Sequence, residues 1–240
     1  SLYYSVLAMM LAVSAGLCIS YLTVRLKIKG GWLLDGLAML PLAVPGLVMA
    51  FGYVAMSLNW PFRGPAPMWM RNLVDADTWL GGLIHEAPLA GHFDILGNEP
   101  NPIPLLIIAY AVRRLPYVVR AASAGLEQTS GQLEEAALNL GASTMTAIRA
   151  IVVPLIAANL IAGAILTFSF SMLEVSDSLI LAQKEKHFPI TKAIFDLFQR
   201  LGDGPYIASA MGVWGMALLA VTLVGSAIIM GRKLGAVFRV

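Results

Sequence analysis

Two acids, Glu174 and Asp177, stand three residues apart at the end of a stretch that carries no other charge from Ile151 to Ala182. Ionisable groups inside an apolar span are costly and usually functional, so this pair could bind substrate or a proton, or else anchor the structure or line a gate. A spacing of three puts both on one helix face. From Leu155 at the inner edge, Glu174 lies 19 residues further on, about 28 Å along a helix rising about 1.5 Å per residue. That depth is close to the far interface of a hydrocarbon core about 30 Å thick. It favours anchoring or gate lining at an outer mouth over direct binding of substrate or proton.

Other reactive residue types are sparse. His85-Glu86 with His92 and Asp94 could be drawn as a metal cluster, but the spacing matches no standard ligand pattern, and a solvated loop is the better reading. His187 stands apart from them, so no metal site is assigned. Cys18 is the single cysteine, which excludes an internal disulfide and a Cys-based metal site. No Gly-rich loop with Lys-Ser/Thr is present to cradle a phosphate, so this chain should not hydrolyse ATP itself. No Ser–His–Asp set fits within one membrane leaflet. Neither catalytic residues nor a cofactor are assigned.

The elements that position these residues follow from composition. Charged residues make up 12% of the 240, residues of the hydrophobic types 58%, and mean hydropathy is +0.77. An ordinary soluble domain carries about 25% charge, and a globule this apolar could not cover itself with polar surface. The chain is read as an integral membrane protein. Net charge is +2, which points to no nucleic acid. The sequence opens on Ser1 and is apolar at once, with no charged leader and no small-residue cleavage site, so it reads as a segment of a longer polypeptide and not as a signal peptide.

Uncharged runs at Leu2–Val24, Leu37–Leu58, Ile151–Leu173 and Pro205–Ile229 are each long enough to span a bilayer. A fifth run, Ile103–Val119, is interrupted by Arg113 and Arg114 and spans only if both arginines snorkel to an interface. Cytoplasmic loops are enriched in Lys and Arg. Five spans place ten basic residues on one side and six on the other, whereas four would reverse the bias along the chain. About five helices are therefore expected, with the N-terminus outside and residues 25–36, 113–150 and 231–240 cytoplasmic. Residues 59–102 become an outer loop insertion whose Trp60, Trp69 and Trp79 suit the headgroup region. Pro41, Pro45 and Gly46 mark either a broken helix beside a path or a packing kink. Ala158 with Ala162, and Asn159 with Gly163, give small-residue faces for close helix packing, and a second membrane-spanning half is expected across them.

Residues 121–150 are the least apolar long inner segment and read as a helix–turn–helix. Thr129 and Gln132 have capping-box spacing, and Leu133, Ala136, Ala137 and Leu140 fall on one helical stripe. Gly141 stands where a left-handed cap is wanted, and Ser143 can cap a second helix that enters the membrane near Pro154. An alanine-built stripe beside Glu134 and Glu135 lets a partner approach closely, which suits docking.

Glu135-Ala136-Ala137, then Gly141, then Ile151 and Val153-Pro154, resembles the EAA motif of binding-protein-dependent ABC importer permeases, with Val where the family usually has Leu. Arg114-Leu115-Pro116-Tyr117 with Arg120, Phe168 through Glu174 to Leu181, and Pro189 through Ile194 also resemble that family, most closely its ferric-iron, thiamine and polyamine branch.

The resemblance implies an all-α type I ABC importer transmembrane domain over residues 1–240, with 121–150 as a cytoplasmic EAA coupling loop. It implies that Glu135, Ala136, Ala137, Gly141, Ile151 and Pro154 couple to a separate ATPase subunit. Pro45, Gly46, Glu174 and Asp177 remain candidates for the translocation path or gate. Implied partners are ABC ATPase subunits, a second permease half (fused or separate), a periplasmic substrate-binding protein and the lipid of a bacterial inner membrane. Ferric iron is the first choice of substrate. The competing reading is a secondary transporter driven by an ion gradient, which would need an ionisable group at mid-membrane.

Overall fold

The computed structural model describes residues 1–73, 78–89, 92–93, 95–96 and 100–237, with side chains left out at 83, 85, 226–227 and 229–237. Among the described residues every regular element is helical. In chain order these are α1 (Leu2–Ser20), continued by a π-helical turn (Tyr21–Arg25), α2 (Gly31–Ala43) and α3 (Gly46–Ser57). Then come α4 (Met68–Arg71), α5 (Trp79–His85), α6 (Ile103–Gln128), α7 (Gln132–Asn139) and α8 (Thr144–Ala147). A second π turn (Ile148–Val152) leads to α9 (Val153–Leu155), α10 (Ala157–Met172), α11 (Ser176–Leu181), α12 (Ile190–Phe198) and α13 (Gly204–Val237).

Two stretches, Leu2–Arg25 and Gly204–Gly225, are single helices long and apolar enough to cross a membrane. Two more candidates are broken. One pairs α2 with α3 across Val44–Pro45, and the other pairs Thr144–Leu155 with Ala157–Met172 across a 78° bend. Pro45 takes an extended backbone (ψ 139°) and starts α3 at Gly46, while Pro41 lies inside α2 without ending it. The broken-helix reading of Pro45 and Gly46 therefore describes the backbone, and Pro41 is the exception. The expected fifth span corresponds to α6, which has 26 residues, about 39 Å at about 1.5 Å each, but its three arginines leave it less apolar than the four candidates above. The expected snorkelling of Arg113 does not occur, because its side chain is buried in protein. Arg114 instead lies over the Phe170 ring, 5.4 Å from its centroid, and donates to the Phe170 carbonyl at 3.3 Å.

The chain divides into two compact units. One comprises Ser1, Val44–Tyr110 and Leu173–Gly212, and in it α3 packs against α11. The other comprises Leu2–Ala43, Ala111–Met172 and Val213–Val240, and in it α1 packs along α10.

Close approach in the second unit depends on small residues. Lipid tails are as apolar as Leu, so helices associate by fit and not by escape from water. A Cβ at Gly16 of α1 would stand 2.7 Å from Val118 Cγ1 of α6. A Cβ at Gly163 of α10 would meet Ala121 Cβ at 3.0 Å and Val118 Cα at 3.2 Å, and Gly125 of α6 faces Asn159 at 3.0 Å. The Asn159–Gly163 face expected to receive a second permease half is thus occupied by α6 of the same chain. Where α1, α6 and α10 converge, Tyr21, Ala122, Leu126, Val152, Ile156 and Leu160 form one buried apolar cluster.

Gly16→Val inserts a branched side chain where none fits, and should cost about 1–3 kcal/mol. Gly52, with nothing within 4 Å of its Cβ position, should accept Ala without loss. Thermal midpoints of the two variants in mild detergent check this, with Gly16→Val lowered and Gly52→Ala unchanged or raised.

Candidate functional site

The α7–α8 hairpin is built by local rules. The right-handed helix ends at Leu140, and Gly141 turns the chain at φ +89°. Ala142 N–H donates to the Ala137 carbonyl and Gly141 N–H to Leu138, both at 3.0 Å. Those two bonds form a Schellman cap, which satisfies carbonyls that the helix end would leave open. Ser143 Oγ accepts from Thr146 N–H at 3.2 Å and opens α8, as its position predicts.

The start of α7 differs from expectation. Thr129 is not its cap. The helix begins after Gly131, and Ser130 Oγ accepts from Gln132 N–H at 3.3 Å. Thr129 Oγ1 is held elsewhere, accepting from Arg25 Nη2 at 2.7 Å and donating to the Leu126 carbonyl at 3.2 Å. The second helix also does not run straight on past Ile148. It widens into the π turn and bends at Ile156, which leaves Ile151 half-buried and Pro154 exposed.

The predicted apolar stripe faces outward. Leu140 is 90% exposed and Leu133 58%, with Ala136 and Glu135 exposed and Ala137 half-buried. The adjacent glutamates have opposite environments. Glu134 is buried, 7% exposed, and is the one buried residue of α7. The Tyr21 hydroxyl donates to its Oε1, and Arg25 Nε pairs with its Oε2 at 3.6 Å. Glu134, read with Glu135 as part of the docking surface, is thus turned inward, and Tyr21 and Arg25 were not among the candidate residues. Tyr21 and Arg25 stand four apart at the end of an apolar run, but nothing in sequence brings them to a carboxylate 113 and 109 residues away.

The acids at 174 and 177 do not share a helix face. Helix α10 ends at Met172, and α11 starts at Ser176. Glu174 thus lies in the break, and Asp177 in the first turn beyond it. Both are buried, 5% and 0% exposed, so neither meets water freely as their depth implied. The Glu174 carbonyl, freed by the break, accepts from Ser178 Oγ and Thr191 Oγ1, both at 2.6 Å. Tyr110 Oη and Ser178 Oγ are 2.6 Å apart. Freed backbone is tolerated at membrane depth only where protein or water satisfies it, and these hydroxyls do so.

Just past α12, Arg200 joins Asp196 at 3.0 Å and Glu185, and these bonds raise its pKa above the ordinary guanidinium value. Asp94 and the side chain of His85, half of the loop group considered for a metal, lie outside the described residues. Among the described residues no three His, Cys, Asp or Glu side chains gather into a metal site.

Residues 7–232 match the family described as binding-protein-dependent transport system inner membrane component. The chain belongs to that family. Its described elements are all helical, in keeping with an inner-membrane component of the ABC importer permease family. The permease is 30% identical over 213 residues to the ferric transport system permease protein FbpB of Actinobacillus pleuropneumoniae, covering 88% of this chain and 25% of that protein. It is 27% identical over 167 residues to the sulfate transport system permease protein CysT of Salmonella typhimurium, covering 70% of this chain and 51% of that one. It is also 26% identical over 225 residues to the molybdenum transport system permease protein ModB of Escherichia coli, covering 93% and 87%. The chain thus spans a quarter of FbpB, half of CysT and most of ModB.

The two glutamates of α7 should separate by stability. Glu134→Ala leaves Arg25 without its carboxylate in a largely buried setting and should cost about 3 kcal/mol. Glu135→Ala at an exposed position should stay within about 0.5 kcal/mol. Thermal midpoints in detergent, with limited proteolysis of the hairpin, measure the difference.

Proposed function

We propose that residues 1–240 form the transmembrane domain of an ATP-driven importer, with 59–102 as an outer insertion and 121–150 as its cytoplasmic coupling loop. In this reading the exposed face of α7 docks in a separate ATPase subunit. The observation that carries it is the combination of an outward-facing apolar stripe with a helix pinned from behind: Leu133, Ala136 and Leu140 are exposed while Glu134 is buried. A soluble-facing helix would normally turn that stripe inward. Ala136 and Ala137 leave room for a partner's backbone, and Glu135 offers a carboxylate to a basic or polar group. Gly141 turns the chain so that α8 can lead through Ile151 and Pro154 to the membrane.

ATP binding would close the ATPase pair and drag the coupling helices, rocking two permease halves between inward- and outward-facing states. A periplasmic binding protein would deliver substrate at the outer side. Pro45, Gly46, Glu174 and Asp177 lie at helix breaks, which suits a gate or path. The family assignment weighs against the gradient-driven alternative.

Ferric iron is the proposed substrate, supported by the names of FbpB from Actinobacillus and from Haemophilus influenzae. The CysT and ModB relatives favour sulfate or molybdate as the second reading. Uptake of radioactive ferric iron, sulfate and molybdate by cells expressing the intact system separates them. Iron accumulation is expected, and accumulation of either oxyanion without iron would replace that assignment. Gly141→Asp tests docking in the same assay. Its Cβ meets nothing of this chain, but φ +89° strains any L residue. Uptake should fall about tenfold or more, as expected from a strain of roughly 1–2 kcal/mol, while membrane insertion persists. Unchanged uptake would sink the docking role.

A further inference from the structure

The packing beneath α7 points to how its displacement reaches the membrane. We propose that Tyr21, Arg25 and Glu134 form a positioning linkage that passes motion of α7 directly to α1, making α1 the first spanning helix to move. This rests on α7 being the coupling helix.

Three observations carry the inference. First, α7 has a single buried anchor. Of its residues Glu134 alone is buried, so a force on its exposed face has that side chain as its inward route. Second, the anchor is bipartite. The Tyr21 ring belongs to the apolar cluster with Ala122, Leu126 and Val152, while its hydroxyl donates to Glu134. Arg25 holds the other carboxylate oxygen at 3.6 Å and ties Thr129, just past α6, at 2.7 Å. Pulling Glu134 away would strand a desolvated carboxylate and a largely buried guanidinium, so the linkage moves as a unit instead of parting.

Third, the joints lie on either side of the linkage. Tyr21 and Arg25 are the two ends of the first π turn, and the second π turn contributes Ile148 and Val152 to the same cluster. A π turn replaces the i→i+4 ladder locally and is a common seat of functional bends. Beside the linkage a cavity of about 220 Å³, lined in part by Leu26, Leu138 and Thr144, leaves the hairpin room to shift. Nothing in the family motif itself includes Tyr21, Arg25 or Glu134.

The chain supplies its own reporter. Cys18, its single cysteine, is exposed on α1 three residues before Tyr21. The test uses the permease assembled with its ATPase subunits in mild detergent, carrying an environment-sensitive maleimide fluorophore on Cys18. Cys18→Ser corrects for labelling of other subunits. Adding a non-hydrolysable ATP analogue should shift the emission of the unaltered complex. Tyr21→Phe keeps the ring in the cluster and removes the hydroxyl. It should cut that shift by about threefold or more, the scale of one lost hydrogen bond, with ATPase association retained. Glu134→Gln, whose amide oxygen still accepts from Tyr21, should keep more of the shift than Glu134→Ala. A full shift in both Tyr21→Phe and Glu134→Ala overturns the linkage, as does no shift in the unaltered complex. Failure of any ATPase subunit to accompany the unaltered permease would instead overturn the coupling reading beneath it.

Discussion

A carboxylate removed from water has to be met by donors, and in this permease that requirement is concentrated at Glu134. Its partners, Tyr21 and Arg25, come from the far end of the sequence, and satisfying it draws the end of α1, the end of α6 and all of α7 together. With Glu134 committed inward, the face that carries Leu133, Ala136 and Leu140 is left facing out. Exposed apolar surface on a short helix is unfavourable in water and favourable against a partner. The buried ion pair therefore does more than stabilise. It fixes which face of the hairpin is offered.

The membrane imposes the complementary constraint. Helices in lipid must satisfy their own backbone, so each break needs a local answer. At Glu174 the answer is a set of hydroxyls from Ser178 and Thr191. At Gly16 and Gly163 the answer to a different problem, the lack of a hydrophobic drive between helices, is the missing side chain that lets α6 approach. Both devices put the polar and glycine content of a 58% apolar chain at positions where geometry is decided.

Much of this was legible in the residues. The apolar runs gave the class and four candidate spans, two of them broken, because hydrocarbon thickness and helix rise leave little freedom. Gly141 and Ser143 announced their cap and turn, because those are rules within six residues. The stripe of Leu133, Ala136 and Leu140 was readable as a docking face, although the burial of Glu134 behind it was not. What escaped depends on distance in sequence. The Thr129–Gln132 spacing matched a capping box, but Arg25, 104 residues away, takes the Thr129 hydroxyl and the helix starts later. Arg113 was expected to reach an interface and is buried in protein instead. Glu174 and Asp177 were placed on one helix by their spacing of three, and the chain breaks there because Ser178 and Thr191 can take the freed carbonyl. Periodicity counts residues along a helix and is blind to a break that neighbouring hydroxyls make affordable.

The central claim is that α7 offers its exposed face to an ATPase. Recovering the tagged permease from its native membrane in mild detergent, and identifying the accompanying proteins by mass spectrometry, tests it most directly. The account predicts an ATPase subunit in near-equal amount, lost when Glu135 and Gly141 are altered. Recovery without any ATPase, under conditions that keep other membrane complexes whole, would contradict it.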